Sequence, residues 1–378
     1  MGLEARMKNH RKIIEPLLSA AGVRIDGPDP WDIQVRDEGF YGRVLKDGSL
    51  GLGESYMEGW WDCARIDEFI CCILCAQLEQ KIKPGWPLLL RAAVSRAFNQ
   101  QSRRRAFVIA DKHYDIGNDL FELMLGKSMA YTCGYWLRAT DLDAAQEAKF
   151  DLICRKLGLH AGMTVLDIGC GYGGFMKYAA EKYGITATGV TVSREQADLG
   201  RKICAGLPIE IKLQDYRDVS GTFDRIVAVG VLEHVGYKNY RNFIQVARRC
   251  LADDGLFLLH TIGKELSTTT TVDAFMTKYL FPGGNMPSIA QIGAAVEKSF
   301  VMEDWHLIGP DYDRTLMAWF ENFDSGWDQL KAKYGERFYR LWKYYLLYCA
   351  GSFRARHVQL WQIVFSKHGV PGGYETIR

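Results

Sequence analysis

Val165-Leu166-Asp167-Ile168-Gly169-Cys170-Gly171-Tyr172-Gly173-Gly174 is the stretch that decides the fold of this chain. A short apolar strand runs into a glycine-rich turn, and Phe175 to Tyr183 continues with helical spacing. Glycine at 169 and 171 lets the backbone turn tightly and approach a ligand that a Cβ would block. Free N–H groups where the helix starts favour a carboxylate. Gly169, Gly171 and Gly174 also satisfy the dinucleotide pattern G-x-G-x-x-G. That pattern wants an acid at the end of the second strand, about 20 residues on. Thr191, followed by Val192 and Ser193, stands there instead, which argues against a nicotinamide dinucleotide.

Working outward, strand and helix alternate, the sign of an α/β fold on a parallel sheet. Thr164 to Ile168, Ala187 to Val192, Asp224 to Val229, Leu256 to His260 and Val358 to Phe365 read as strands. Residues 265 to 350 interrupt the alternation, are rich in Trp, Tyr and Phe, and read as a helical insertion. Trp305, Trp319, Phe320 and Tyr348 are its candidate cation-facing aromatics. The catalytic part is taken as 113–378. Residues 1–80 form a small N-terminal module of helix and loop, where Gly48, Gly51 and Gly53 lead into Gly59-Trp60-Trp61-Asp62.

Between them, residues 81–112 are a basic connector with Arg103, Arg104 and Arg105 in a row and Asp111 as its one acid. Pro87 to Phe98 reads as a helix with an apolar side. Two readings stand: the solvated face of a packed helix, or a surface that attracts anionic headgroups while its apolar side meets acyl chains.

The 378 residues are 48% hydrophobic and 24% charged with net charge +2, so nothing global demands a nucleic-acid partner. No apolar run reaches the roughly 18 residues of a membrane span. The start lacks a secretory apolar segment, and Arg6 stands where a myristoylation motif wants Ser or Thr. Contact with a membrane is therefore expected from the cytoplasm, peripherally. The ten cysteines are scattered. Cys72 and Cys75 form a C-x-x-C, but Ile66, Phe69, Ile70, Ile73 and Leu74 put it on an amphipathic helix, and no second pair completes a metal site.

Leu213-Gln214-Asp215-Tyr216 supplies candidates for an adenine end, an acid for an exocyclic amine and an aromatic face for a base. Asp215 is equally readable as a turn residue. With Asp167 before the first glycine, the loop has the form typical of class I methyltransferases that use S-adenosylmethionine.

Further motifs narrow the resemblance. His113-Tyr114-Asp115-Ile116-Gly117-Asn118-Asp119-Leu120-Phe121, Tyr131-Thr132-Cys133-Gly134-Tyr135-Trp136, Val190-Thr191-Val192-Ser193-Arg194-Glu195-Gln196, Glu233-His234-Val235-Gly236, His260-Thr261-Ile262-Gly263 and Asp311-Tyr312 occur in that order. Together with the N-terminal module, the chain resembles cyclopropane-fatty-acyl-phospholipid synthases of the bacterial type over nearly its whole length. Lys264 to Thr271, with its threonine run, is the one stretch that departs from the pattern.

The resemblance implies a Rossmann-like methyltransferase domain with a lipid-binding insertion, probed by two sets of residues. A bicarbonate ion would be held by Cys133, Glu233, His260, a backbone group of Ile262 and Tyr312. Adenosylmethionine would touch Tyr131, Thr132, Gly169, Gly171, Thr191, Gln196 and Tyr216. It also implies a homodimer, and the unsaturated acyl chains of membrane phospholipid as substrate.

The chemistry explains such a set. An alkene is a poor nucleophile, so the sulfonium methyl must be aimed at it in a dry, fixed geometry. Methyl transfer leaves a cation on the acyl chain, and ring closure needs a base to remove a proton from the new methyl. Glu233 would accept the bicarbonate O–H, which avoids two bare anions in contact. Taken one at a time, each residue has a plainer role: Cys133 as core, Glu233 as a helix-start acid, His260 as a satisfied sheet histidine, Tyr312 as a loop residue. Two other functions stay open at this point, a related acyl C-methyltransferase making branched products and a noncatalytic lipid-binding relative.

Overall fold

The computed structural model describes residues 3–77, 117–267 and 273–378, with side chains from His10 onward in the first helix. The basic connector, the helix expected over 87–98, the first four residues of the motif that starts at His113, and most of the threonine run lie outside the described residues.

The N-terminal segment comprises α1 (Leu3–Ala20), β1 (Gln34–Val35), α2 (Gly39–Asp47), α3 (Ser49–Met57), β2 (Trp61–Asp62) and α4 (Ile66–Cys75). Cys72 and Cys75 sit on α4 as the spacing predicts. Two helices, α5 (Asn118–Leu125) and α6 (Leu142–Lys156), lead into the central sheet. Its strands are β3 (Thr164–Ile168), β4 (Thr186–Thr191), β5 (Ile209–Leu213), β6 (Phe223–Val229), β7 (Leu251–Gly263), β8 (Val301–Leu307) and β9 (Gln359–Ser366). They lie in the order β5-β4-β3-β6-β7-β9-β8. The pairs β3–β4, β4–β5, β3–β6 and β6–β7 are parallel. β9 runs antiparallel to both β7 and β8.

The chain leaves β3 through α7 (Gly174–Tyr183) to β4, then through α8 (Arg194–Ile203) to β5. It resumes on the other side of β3 with β6, α9 (Leu232–Val235), α10 (Tyr240–Cys250) and β7. The direction of winding therefore reverses between β3 and β6, and the crevice beyond their carboxyl ends is where open α/β sheets take ligands.

One expectation is corrected. The segment 265–350 is not wholly a helical insertion. After α11 (Ala274–Tyr279) and α12 (Ile289–Val296), the chain adds β8 to the sheet edge before α13 (Pro310–Ser325) and α14 (Trp327–Arg354), which is kinked at Gly335. An edge strand has one neighbour, so Val301, Met302 and Leu307 stay exposed and the period-2 signal is blurred. Trp305 accordingly packs on Trp361, with ring centres 5.1 Å apart, as a strand residue.

The N-terminal segment shares a core with the last two helices. Trp61 and Tyr56 meet Tyr344 of α14. Arg340 donates to the Tyr56 and Trp61 carbonyls and to Asp62. Arg354 joins Asp67 of α4 at 2.6 Å to Asp313 of α13 at 2.9 Å. The segment also grips α11. Glu54 accepts from Lys278 Nζ at 2.5 Å and from Tyr279 Oη at 2.8 Å, and a Cβ at Gly53 would stand 2.3 Å from the Phe275 ring.

Candidate active site

A cavity of about 390 Å³ opens beyond the carboxyl ends of β3, β4 and β6 and is floored by the glycine turn. Every residue expected to touch adenosylmethionine lines it: Tyr131, Thr132, Asp167, Gly169, Gly171, Thr191, Gln196, Asp215 and Tyr216. Gly169 has φ +79°, and a Cβ there would stand 2.2 Å from Val231 Cγ2. Only glycine fits this close approach of turn to neighbouring loop.

The second strand ends in a knot of hydrogen bonds. Thr191 Oγ1 donates to Gln196 Oε1 at 2.9 Å, and Ser193 caps α8 by accepting from the Gln196 amide. Asp215 serves as the turn residue considered above. Its oxygens accept from the Arg217 amide and from Arg217 Nη1, each at 2.9 Å, while the residue still lines the cavity. Tyr216 stands edge-on to Phe243, with Arg217 over its ring.

Glu233, His260, Ile262 and Tyr312 line the same cavity, although they come from α9, β7 and α13. The Ile262 amide donates to Glu233 Oε1 at 2.5 Å. Glu233 Oε2 and His260 Nε2 are buried and have no partner among the described residues. Burial pushes the Glu233 carboxyl up to about 7, against the pull of the Ile262 N–H. Burial, with Lys149 and Lys156 nearby, holds His260 far below the usual imidazole range, so it is neutral. Tyr312 is pushed well up by burial, next by Cys133 and then Glu233, and keeps its hydroxyl proton.

Two members of the expected ion-holding set depart from that geometry. Cys133 is buried but does not line the cavity; its thiol contacts Thr315 Oγ1 at 3.7 Å. Thr315 also accepts from the Gly134 amide and the Trp136 ring N–H, which turns this loop toward α13. Burial raises the thiol well above its ordinary range, so no thiolate forms. The N–H of Ile262 is spent on Glu233, and its carbonyl accepts from Thr261. Of the four insertion aromatics, Tyr348 lines the cavity. Trp319 packs behind Tyr131 and Tyr312. Phe320 and Trp305 lie elsewhere.

The sequence reading missed Lys149. This fully buried lysine lines the cavity and donates to Thr132 Oγ1 at 2.8 Å and Gln146 Oε1 at 2.6 Å. Burial lowers it to about 7, with Cys133 and Asp167 opposing. Asp167 is raised by burial to about 7, with Lys149 opposing. The signal was present: Leu142, Ala145, Gln146, Lys149 and Ile153 belong to the buried stripe of α6, so Gln146 and Lys149 stand as polar residues on an apolar face. His234 also lines the cavity, and burial lowers it to about 4. Among the described residues, no group of His, Cys, Asp and Glu could hold a metal ion.

Residues 101–363 match the profile of the mycolic acid cyclopropane synthetase family. The chain belongs to this family. It is 50% identical over 370 residues to the cyclopropane-fatty-acyl-phospholipid synthase of Escherichia coli K12, covering 98% of this chain and 96% of that protein. Among solved structures, the mycolic acid cyclopropane synthase CmaA1, bound to SAH and CTAB, superposes with a TM-score of 0.65 at 33% identity, over 69% of this chain and 98% of that one. The cyclopropane synthase MmaA2 of Mycobacterium tuberculosis gives 0.65 at 31% identity, over 69% and 98%. The fold is thus that of an S-adenosylmethionine-dependent methyltransferase, and this family member is an enzyme.

Proposed function

We propose that the protein closes a cyclopropane ring across the cis double bond of unsaturated acyl chains in membrane phospholipid, with S-adenosylmethionine as methylene source and a trapped bicarbonate as base. The observation that carries this reading is that Glu233 and His260, which line the cavity floored by the Gly169 turn, each keep a buried atom, Oε2 and Nε2, with no partner among the described residues. A small hydrogen-bonding anion fits them, because such atoms are rarely left unsatisfied. The relative CmaA1 binds SAH and a long-chain amphiphile, which suits a site built for a cofactor and an acyl chain.

When bound, adenosylmethionine supplies an electrophilic methyl and bicarbonate a small base. The chain's residues do the rest. Gly169 and Gly171 would give the cofactor its close approach, and Tyr131, Thr132, Thr191 and Gln196 would help to hold it. Asp167 would serve its amino-acid part, and Asp215 and Tyr216 its base. Glu233 accepts the ion's O–H and receives the proton onward. His260 and Tyr312 donate to the ion. Ile262 acts through Glu233, and Cys133 through the Thr315 contact that sets the 131–136 loop. Apolar walls at Met276, Phe281, Phe353 and Leu360 exclude water that would quench the cation.

Incubation with labelled adenosylmethionine and vesicles of unsaturated phospholipid yields a saturated ring product heavier by one methylene. A product that keeps its double bond or carries a methyl branch would overturn the ring-forming reading in favour of a C-methyltransferase. Absence of cofactor binding by calorimetry would favour a noncatalytic lipid binder. Turnover in bicarbonate-depleted buffer tests the ion: activity that does not fall removes it.

Residues 81–112 supply the membrane contact in this reading, at the cytoplasmic face, with a homodimer as the working unit. Charge reversal of Arg103, Arg104 and Arg105 then weakens sedimentation with anionic vesicles at low salt. Unchanged binding removes the connector from that role, and a monomer by analytical ultracentrifugation removes the dimer.

A further inference from the structure

Three polar residues lie side by side across three adjacent strands. His260 of β7 is directly opposite Gln362 of β9, and Gln362 is directly opposite His306 of β8. Register partners share a face of the sheet, so the three side chains stand in one row. Gln362 is fully buried between Trp361 and Ile363. Its Nε2 lies 3.3 Å from His260 Nδ1, and its Oε1 has no partner among the described residues. On the far side of the row, Lys156 Nζ lies 3.1 Å from His306 Nδ1. An ammonium has donors only, so His306 Nδ1 accepts and its proton sits on Nε2. An amide nitrogen only donates, so His260 Nδ1, facing Gln362 Nε2, is placed to accept.

We propose that Gln362 is a positioning residue: its side-chain N–H donates to His260 Nδ1 and holds the imidazole as the Nε2–H tautomer, presenting a neutral N–H donor to the anion in the cavity. This deepens the function proposed above and rests on it for the anion. The physical point is one of sign. A neutral imidazole offers a donor or a lone pair at Nε2, and its partner at Nδ1 decides which. A lone pair facing an anion repels it, whereas an N–H holds it. An apolar residue at 362 would leave both tautomers populated. A carboxylate there would accept from Nδ1–H and impose the wrong one.

The test uses the full-length protein with ¹⁵N-labelled histidine, the His260 signals being those lost in His260→Asn. In the wild type, His260 shows a protonated Nε2 and a bare Nδ1. In Gln362→Glu the pattern reverses, and kcat falls at least about 100-fold while KM for adenosylmethionine stays within about threefold, in line with the large penalty for a wrong tautomer. Gln362→Met, close in volume, gives mixed tautomers and an intermediate kcat. A wild-type His260 protonated at Nδ1 overturns the proposal by itself, whether or not the variants fold. So does a Gln362→Glu protein whose tautomer is unchanged. If turnover proves independent of bicarbonate, the anion reading fails, while the tautomer measurement still decides the role of Gln362.

Discussion

The Ile262 amide holds one oxygen of Glu233 at 2.5 Å and leaves the other, buried in a residue that lines the cavity, without a partner among the described residues. One oxygen fixes the carboxyl's direction and the other is kept for chemistry. Glu233→Gln keeps the size and the Ile262 contact but cannot take up a proton. Its kcat falls by about 100-fold or more, the usual scale for a positioned base. Cofactor affinity by calorimetry stays near that of the wild type. A large loss of cofactor binding would mean that the residue has another role.

Burial pushes Glu233 up to about 7, against the Ile262 N–H, and its ionised form is the acceptor. The wild-type kcat therefore rises with pH through about 7 and levels off above it. Residual activity of Glu233→Gln lacks this limb. A profile of unchanged shape in the variant assigns the limb to another group.

Lys149 donates to Thr132 and Gln146, and Gln146 in turn donates to the Thr132 carbonyl at 2.8 Å. Lys149→Met strands two acceptors, and a buried unmet acceptor costs about 1–3 kcal/mol. The 131–136 loop loosens, so KM for adenosylmethionine rises about tenfold, with a smaller change in kcat. Steady-state kinetics at saturating lipid read this directly. Unchanged KM would confine Lys149 to a structural part.

At the glycine turn, Gly169→Ala puts a methyl against Val231 at a backbone angle that disfavours side chains. Adenosylmethionine binding is expected to fall beyond calorimetric detection, while circular dichroism retains the α/β signature. Wild-type affinity in this variant would show that the turn yields more easily than its geometry implies.

The grip of the N-terminal segment on α11 has a pH signature. Burial raises the Glu54 carboxyl, but Lys278, Tyr279 and Arg43 outweigh it and hold the group down to about 2. A carboxyl depressed on folding stabilises the protein above its unfolded value of about 4.5, and that stabilisation fades as pH falls toward 2. Glu54→Gln thus lowers Tm at pH 7, and the gap to the wild type narrows in acid. Gly53→Ala, which crowds Phe275, lowers stability by about 1–3 kcal/mol at either pH. A gap that stays constant from pH 7 to 3 in Glu54→Gln would uncouple Glu54 from α11.

Legibility in the sequence followed burial. Thr164–Ile168 matches its expected bounds residue for residue, because a central parallel strand is covered on both faces and reads as one apolar run. The edge strand β8 falls within the expected insertion, because its apolar Val301, Met302 and Leu307 are exposed and blur the alternation. Gln362 and Lys149 left a faint mark, a polar residue on an apolar stripe, but the stripe does not say what lies across from it.

The sequence alone determined the α/β fold, the glycine turn with its cofactor, and the family, since backbone conformation and apolar periodicity are local properties. Tertiary structure alone decided that Glu233, His260 and Tyr312 face one cavity, that the Cys133 thiol turns to Thr315, and that Ile262 serves Glu233. Those outcomes depend on which hydrogen-bonding atoms strand register and helix packing bring within reach, and residues far apart along the chain carry no local record of it.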